Sequence, residues 1–491
     1  MMRLFRLPVA LTVITLAVVA TTTAVAPAAA TTSTGRVVNG SLVSPDTFQQ
    51  RWRSIAILTE RAERDTRQGQ FCAGTFIGPR TVVTAAHCVS DPFDLVRIED
   101  HGRATWYNNQ QAIAPRELHV VGGRRVLAVR DGDRVPVQTI LVHPSYDPIS
   151  GAWDVALLQL TRDVDSSKVT PIAPVGDGED AIWGAGAGIT PTADAGPWLA
   201  GWGWRDDPSD DGFFAGSMLQ GLTLRPSKPV RRPRPSNLGR ATAGRSGRSA
   251  ANGLQEALVP IQSDTRCEEG SSGGPDTGYG RDFDVSSMLC AGTLDTTDQN
   301  DDNATTNGVD ACYGDSGGPL LAGAGAAMRL VGIVSFGVGC ATSSSFGVYT
   351  RVAGVRGFLT QTPRRNVEAA RAPRLTGTFM RRFALPGSTL RCTPARWMGA
   401  GTRRTSVRWV RTKASDDSED EFSIDFGPTT LERIPGSRGL RRYTVRARDV
   451  GWQVGCVEIT TNGQTRAASA STMATVPDQD ALDSILDDSD F

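Results

Sequence analysis

The sequence predicts an all-β protein of more than one domain. Three observations carry that expectation. The chain has 491 residues, more than one typical domain holds, so two or three are expected. It carries 53 glycines and 28 prolines beside 39% hydrophobic residues, the balance of a loop-rich, strand-leaning chain. Near the end, "YTVRARDVGWQVGC" alternates with the period of a strand, Tyr443, Val445 and Ala447 to one side and Thr444, Arg446 and Arg448 to the other. Lys+Arg and Asp+Glu both number 52, so there is no basic surplus for general nucleic-acid binding.

The first element in order is an address. Arg3 and Arg6 precede an apolar run from Leu7 to Ala20, and "APAAA" supplies small residues at Ala28 and Ala30. Residues 1–30 therefore read as a signal peptide, and the mature protein is expected to be secreted and extracellular. No later segment is apolar enough to span a bilayer. Eight cysteines, at 72, 88, 267, 290, 312, 340, 392 and 456, fit an oxidising compartment and read as disulfides. No Cys/His spacing reads as a metal site, and no cofactor is expected.

Chemistry concentrates in "DACYGDSGGPLL", residues 310–321. A serine hydroxyl alone is a poor nucleophile. Ser316 gains reactivity only where a base, an orienting carboxylate and oxyanion donors converge on it. Of four histidines, His87 sits in "RTVVTAAHCV", beside Cys88, which lies 16 residues after Cys72. A bridge there would hold a base firmly, as proton transfer requires. Asp154 opens the apolar run "DVALLQL" and so meets a buried strand edge, where a carboxylate needs a partner. Taken singly, His87 reads equally as a structural histidine and Asp154 as a strand cap.

Taken together, "TAAHC", "DVALL" and "GDSGGP" in that order resemble the trypsin/chymotrypsin family of serine endopeptidases, over about Val37 to Thr362. The resemblance implies a two-barrel fold. It implies Ser316 as nucleophile, His87 as base, Asp154 as its orienting carboxylate, and the N–H groups of Gly314 and Ser316 as the oxyanion hole. It selects the bridges Cys72–Cys88, Cys267–Cys290 and Cys312–Cys340.

The same resemblance implies activation and specificity. "GRVVNG" looks like the family's activation site, with 31–36 as a short propeptide and cleavage after Arg36. The freed Val37 amine would pair with Asp315. Asn39 stands where the family has a glycine. Asp310 matches the base of the primary pocket, Gly337 and Gly347 its bare walls, and Ser335, Phe336 and Gly337 the segment that pairs with substrate backbone. Phe336 replaces the usual tryptophan. Ala311 replaces a common serine, which favours Arg over Lys. Substrates are thus expected to be proteins or peptides with Arg or Lys before the scissile bond.

Gly201–Gly203 matches a further family strand, after which the pattern breaks. A basic, proline-rich insertion at about 205–250 is expected to be disordered and cut at Arg225, Arg231, Arg234, Arg240, Arg245 or Arg248. An exosite for an acidic partner is the other reading. The insertion "TTDQNDDNATTNG" does not match an EF-hand loop and reads as a polar rim.

Beyond the protease region, 37–362, a linker is expected over 363–373. Cys392, Trp409 and Cys456 have the order of an immunoglobulin-like sandwich, and "TLRC" and "DVGWQVGC" resemble bacterial Ig-like modules, placing one over 374–475 with a protein or surface ligand or a passive spacer role. The acidic end, 476–491, is expected to be disordered. A competing class is an exported adhesion protein that uses the protease fold as a scaffold.

Overall fold

The computed structural model describes residues 37–90, 95–100, 103–108, 115–148, 150–203, 252–269, 278–297, 307–363, 367–380, 382–413, 430–464 and 466–487. The expected signal peptide and propeptide, and all of the basic insertion over about 205–250, lie outside them.

Among the described residues, strands make up most of the regular secondary structure. Ile55–Glu60, Gln70–Phe76, Thr81–Thr84, Ala156–Leu160, Asp133–Val142 and Leu118–Gly122 pair in that order and close into a six-stranded antiparallel barrel. Its interior is filled from alternate positions, among them Ala56, Leu58, Val82, Val120 and Leu158.

A second antiparallel sheet runs Ser41–Leu42, Gln255–Leu258, Trp198–Gly201, Pro319–Ala322, Arg329–Phe336, Gly347–Arg351, Met288–Ala291. Beyond Leu258 the chain turns back to the far edge, where Ile261 bridges Ala291 and closes this sheet as well. One apolar cluster joins the two bodies, with Ile55, Ile57 and Leu157 from the first and Leu199, Leu320 and Tyr349 from the second. The all-β, two-barrel expectation is met, and Val83 and Val155, close in sequence to His87 and Asp154, belong to this shared cluster.

The C-terminal part has two sheets around a separate core. Arg374–Thr376, Thr389–Thr393 and Arg442–Thr444 form one; Arg404–Lys413 and Trp452–Thr461 form the centre of the other. The disulfide Cys392–Cys456 crosses between them, and the fully buried Trp409 packs beside Tyr443 with ring centroids 5.3 Å apart.

Four features here depart from the sequence reading. The alternation that begins at Tyr443 ends at Val445, because a 3₁₀ turn over Ala447–Asp449 exposes Ala447 and buries Asp449. Asp449 accepts from the Tyr443 hydroxyl (2.5 Å) and the Arg446 N–H (2.8 Å), which fixes that turn. The expected linker carries a strand, Glu368–Arg371, paired to Arg396–Met398, with Val367 buried ahead of it. The acidic tail forms a helix over Gln479–Asp487, its Ala481 N–H capped by the Asp478 carboxylate at 2.8 Å.

The fourth departure is larger. Leu95–Asp100 and Arg103–Asn108 form an antiparallel ribbon that belongs to the C-terminal sheet. The pairings run Arg404–Lys413, Thr430–Arg433, the two ribbon strands, Arg466–Ala470, Trp452–Thr461 and back to Arg404–Lys413. The module therefore draws on chain well outside 374–475.

Candidate active site

Three segments meet at the seam of the barrels. His87 follows the strand Thr81–Thr84, on a turn stapled to the neighbouring strand by Cys72–Cys88. Asp154 precedes the strand Ala156–Leu160 and is completely buried. It is set inward by Trp153, whose φ of 58° lies in the left-handed region, an uncommon conformation for so bulky a residue. The indole stacks on His143 at 4.7 Å, and its backbone N–H donates to Ser287 Oγ at 3.1 Å, holding that turn.

Every oxygen of Asp154 is occupied. Oδ1 accepts the His87 backbone N–H at 2.9 Å, Oδ2 accepts His87 Nδ1–H at 2.7 Å and Ser335 Oγ–H at 2.5 Å, and the carbonyl accepts Thr350 Oγ1–H at 2.6 Å. Burial alone raises this carboxyl's pKa, but the His87 charge and these donors outweigh it and hold it below the ordinary range. Burial lowers the imidazole in turn, and Asp154 more than restores it, so His87 sits above its ordinary 6.5. With Nδ1–H committed to Asp154, Nε2 keeps its lone pair for a hydroxyl proton.

Ser316 lies on the turn between Cys312 and the strand Pro319–Ala322. Its carbonyl accepts the Ala73 N–H at 2.8 Å, and Cys88 Sγ lies 3.6 Å from that carbonyl and 3.7 Å from His87 Nε2. The staple thus touches both the base and the nucleophile's turn. Gly317, at φ 79°, must be bare, because a β-carbon there would strike the Ala73 carbonyl and Thr84 Oγ1. Among the described residues, the N–H groups of Gly314 and Ser316 make no internal hydrogen bond, which leaves two donors on one side of the turn. Cys72, Cys88 and His87 cluster closely enough for a metal, but both sulfurs are spent in the disulfide, so the donor set does not fit one.

The pocket residues converge separately. Asp310 is 4% exposed, with Ala311 N–H at 2.7 Å and Ala341 N–H at 3.3 Å as donors. Burial lifts its pKa to about 7 against those two donors. Gly347 lies directly against the carboxylate, where any β-carbon would overlap Oδ1, and Gly337 faces Gly347. Phe336 packs edge-on to Tyr279, with centroids 5.7 Å apart. Cys312–Cys340 and Cys267–Cys290 are both formed, so the three bridges that the resemblance selected are present, with Cys392–Cys456 as the fourth.

At the start of the described chain Val37 is fully buried, and the Val38 N–H donates to the Asp310 carbonyl at 2.9 Å. Asn39 has φ 55°, a region asparagine tolerates better than most residues, which accounts for its standing where glycine is usual. Asp315 is fully buried and accepts the Gly203 N–H at 2.7 Å and the Cys312 N–H at 3.0 Å. Burial raises its pKa to about 7, and no cation among the described residues pairs with it. Arg36 lies outside the described residues.

Two contacts escaped the sequence reading. Gln70 Nε2 donates to the Gly314 carbonyl at 2.8 Å, holding the turn that carries the free N–H groups. Ser335, in the segment expected to pair with substrate backbone, also donates its hydroxyl to Asp154. Neither has a local signal, since each depends on which distant segment the fold brings near.

Asp154 bonded to His87, with the turn of Ser316 held nearby by the Cys72–Cys88 bridge, is an arrangement compatible with a serine hydrolase of the two-barrel class. The family model for trypsin matches residues 51–210 and 225–359. The chain is 27% identical to a trypsin of Saccharopolyspora erythraea over 58% of its length and 82% of that protein. It is also 27% identical to a mouse tryptase, over 59% of this chain and 77% of that one. A human transmembrane protease serine 5 matches at 27% over 65% of this chain, which spans half of that protein. The chain belongs to the trypsin family of serine proteases. Among the described residues no helix is long and apolar enough to cross a membrane.

Proposed function

We propose that this protein is a secreted endopeptidase that cleaves after Arg, and less readily after Lys, and is made as a precursor activated by a cut after Arg36. Ser316 Oγ attacks the carbonyl carbon of the scissile bond while His87 Nε2 takes its proton. The oxyanion forms against the Gly314 and Ser316 N–H groups. His87 then passes the proton to the leaving amine, and water hydrolyses the acyl-enzyme by the same steps in reverse. Asp154 stays ionised throughout and stabilises the imidazolium.

The observation that carries the specificity is Asp310, a buried carboxylate held by two backbone donors and walled by bare glycine. Such a group gains most from a long side chain ending in a cation, and a guanidinium meets it bidentately. The unpaired Asp315 supports the activation reading, because the freed Val37 amine supplies the cation that the uncut chain lacks. The even, fully paired cysteines and the N-terminal pattern support secretion. The two-sheet arrangement with its crossing disulfide and buried Trp409 supports an Ig-like C-terminal module. The basic insertion is proposed as a self-cleaved loop.

The deciding experiment is a positional library of fluorogenic peptides given to the protein cut after Arg36, with Ser316→Ala as control. Arg well ahead of Lys, with other residues near background, is expected. Preference for Phe or Leu before the bond, or equal turnover by Ser316→Ala, overturns the reading.

A further inference from the structure

The ribbon over residues 95–108 has no ladder partner among the six strands of the first barrel, although it is inserted between His87 and Asp154. Both of its outer edges are taken by the C-terminal module. Leu95–Asp100 runs parallel to Thr430–Arg433, in the register Arg97 to Thr430, Ile98 to Leu431 and Glu99 to Glu432. Arg103–Asn108 meets Arg466–Ala470, with Asn108 opposite Ala467. Ile98 is 1% exposed and shares a core with Val410, Leu431, Val457, Ile459 and Ala468.

Without the ribbon, the module would present two bare strand edges and an uncovered apolar face. Exposed edges of that kind are templates for pairing with other chains, and native sheets seldom leave them open. Among the described residues, hydrogen bonds at the junction of the two parts include Gln464 Nε2 on the Thr362 carbonyl at 2.7 Å and Thr139 Oγ1 on the Pro363 carbonyl at 3.4 Å. No disulfide joins them, since three bridges lie before residue 341 and the fourth lies wholly within the module.

We infer that the strands 95–100 and 103–108 are the built-in ligand of the C-terminal module, a two-stranded insert that closes its sheet and ties it to the part of the chain between His87 and Asp154. The recognition is strand addition within one chain, with backbone hydrogen bonds giving strength and Ile98 giving register. The module is then an integral part of the protease body rather than a bead on a string. Cutting the connection after Pro363 should not release it.

The test uses the full chain carrying Ser316→Ala, to prevent self-digestion, with the recognition sequence of an unrelated cysteine protease inserted between Pro363 and Val367. After folding and cutting, the two pieces should co-elute on size exclusion in native buffer and part only in denaturant. Separation in native buffer overturns the inference. Adding Ile98→Asp should weaken the association at least about tenfold; pieces held as tightly as in the parent also overturn it.

Hydrogen exchange on the uncut chain guards against a variant that merely misfolds. In the parent, amides of 95–100, 103–108, 430–433 and 466–470 should be protected together. In Ile98→Asp all four should open while those of Ile55–Glu60 and Asp133–Val142 stay protected. Rapid exchange of the ribbon in the parent, or loss of the barrel in the variant without prior loss of the ribbon, counts against the lock.

Discussion

The Ser335 hydroxyl donates to Asp154 Oδ2 at 2.5 Å, the same oxygen that receives the His87 imidazole. One carboxylate oxygen therefore serves two donors from different barrels. Removing one leaves a buried charge less well solvated. Ser335→Ala is expected to lower kcat about 10- to 100-fold, from the worth of a hydrogen bond to a charged group. KM for a small arginine ester should stay nearly unchanged. Wild-type kcat in this variant would show that the hydroxyl only fills space.

The imidazole must be neutral to accept the Ser316 proton. Because Asp154 holds its pKa above 6.5, activity should fall as pH drops through a midpoint above that value. Asp154→Asn removes the cause, so the midpoint should move down and kcat should fall about 10⁴-fold, the size this exchange has in the family's reference enzyme. A pH–rate profile of kcat/KM on both proteins checks the pair. An unmoved midpoint would place the titrating group elsewhere.

Asp310→Asn leaves the pocket's shape but removes its charge. Cleavage after Arg should fall roughly 10²- to 10⁴-fold, the range for breaking a buried ion pair. Gly347→Val should do the same by obstruction, since a side chain there collides with the carboxylate. Steady-state kinetics on matched Arg and Phe substrates separate the two: Asp310→Asn loses Arg alone, whereas Gly347→Val loses every long side chain.

Asp315 makes the uncut chain sensitive to pH in an unusual direction. Its folded pKa is raised to about 7, from an ordinary 3.8. Between those values the folded state binds more protons than the unfolded, so stability falls as pH rises from about 4 to about 7, by on the order of a few kcal/mol. Thermal melts of the Ser316→Ala precursor should show this, and Asp315→Asn should lessen it, with Asp310, also raised to about 7, keeping the remainder. On the proposed activation, a cut behind Arg36 would let the Val37 amine pair with Asp315. Activity should then be lost at alkaline pH, as that amine deprotonates above its ordinary value near 8. A precursor whose melting temperature climbs from pH 4 to 7 would contradict the assignment.

Much of the site was legible because its constraints are local. "TAAHC" and "GDSGGP" hold a base beside a staple and a nucleophile between glycines, and each is complete within six residues. Gln70 on Gly314 is not legible in that way, since the contact exists only once two barrels have closed. The tail misled through composition: its aspartates suggested self-repulsion, yet Asp478 caps the helix and Asp480 lies in its first turn, where negative charge is favourable. The ribbon misled most. Its residues carry an ordinary strand signal, and nothing nearby says which sheet will receive it.

That ribbon also sets a timetable. Leu431, its neighbour in the sheet, lies about 330 residues after Ile98, a separation that makes pairing slow and late. During synthesis the two ribbon strands emerge early and can pair with each other, but their outer edges must wait until Thr430–Arg433 and Arg466–Ala470 have been made. A chain that stopped after the protease region would lack Thr430–Arg433 and Arg466–Ala470, and both outer edges of the ribbon would stand open.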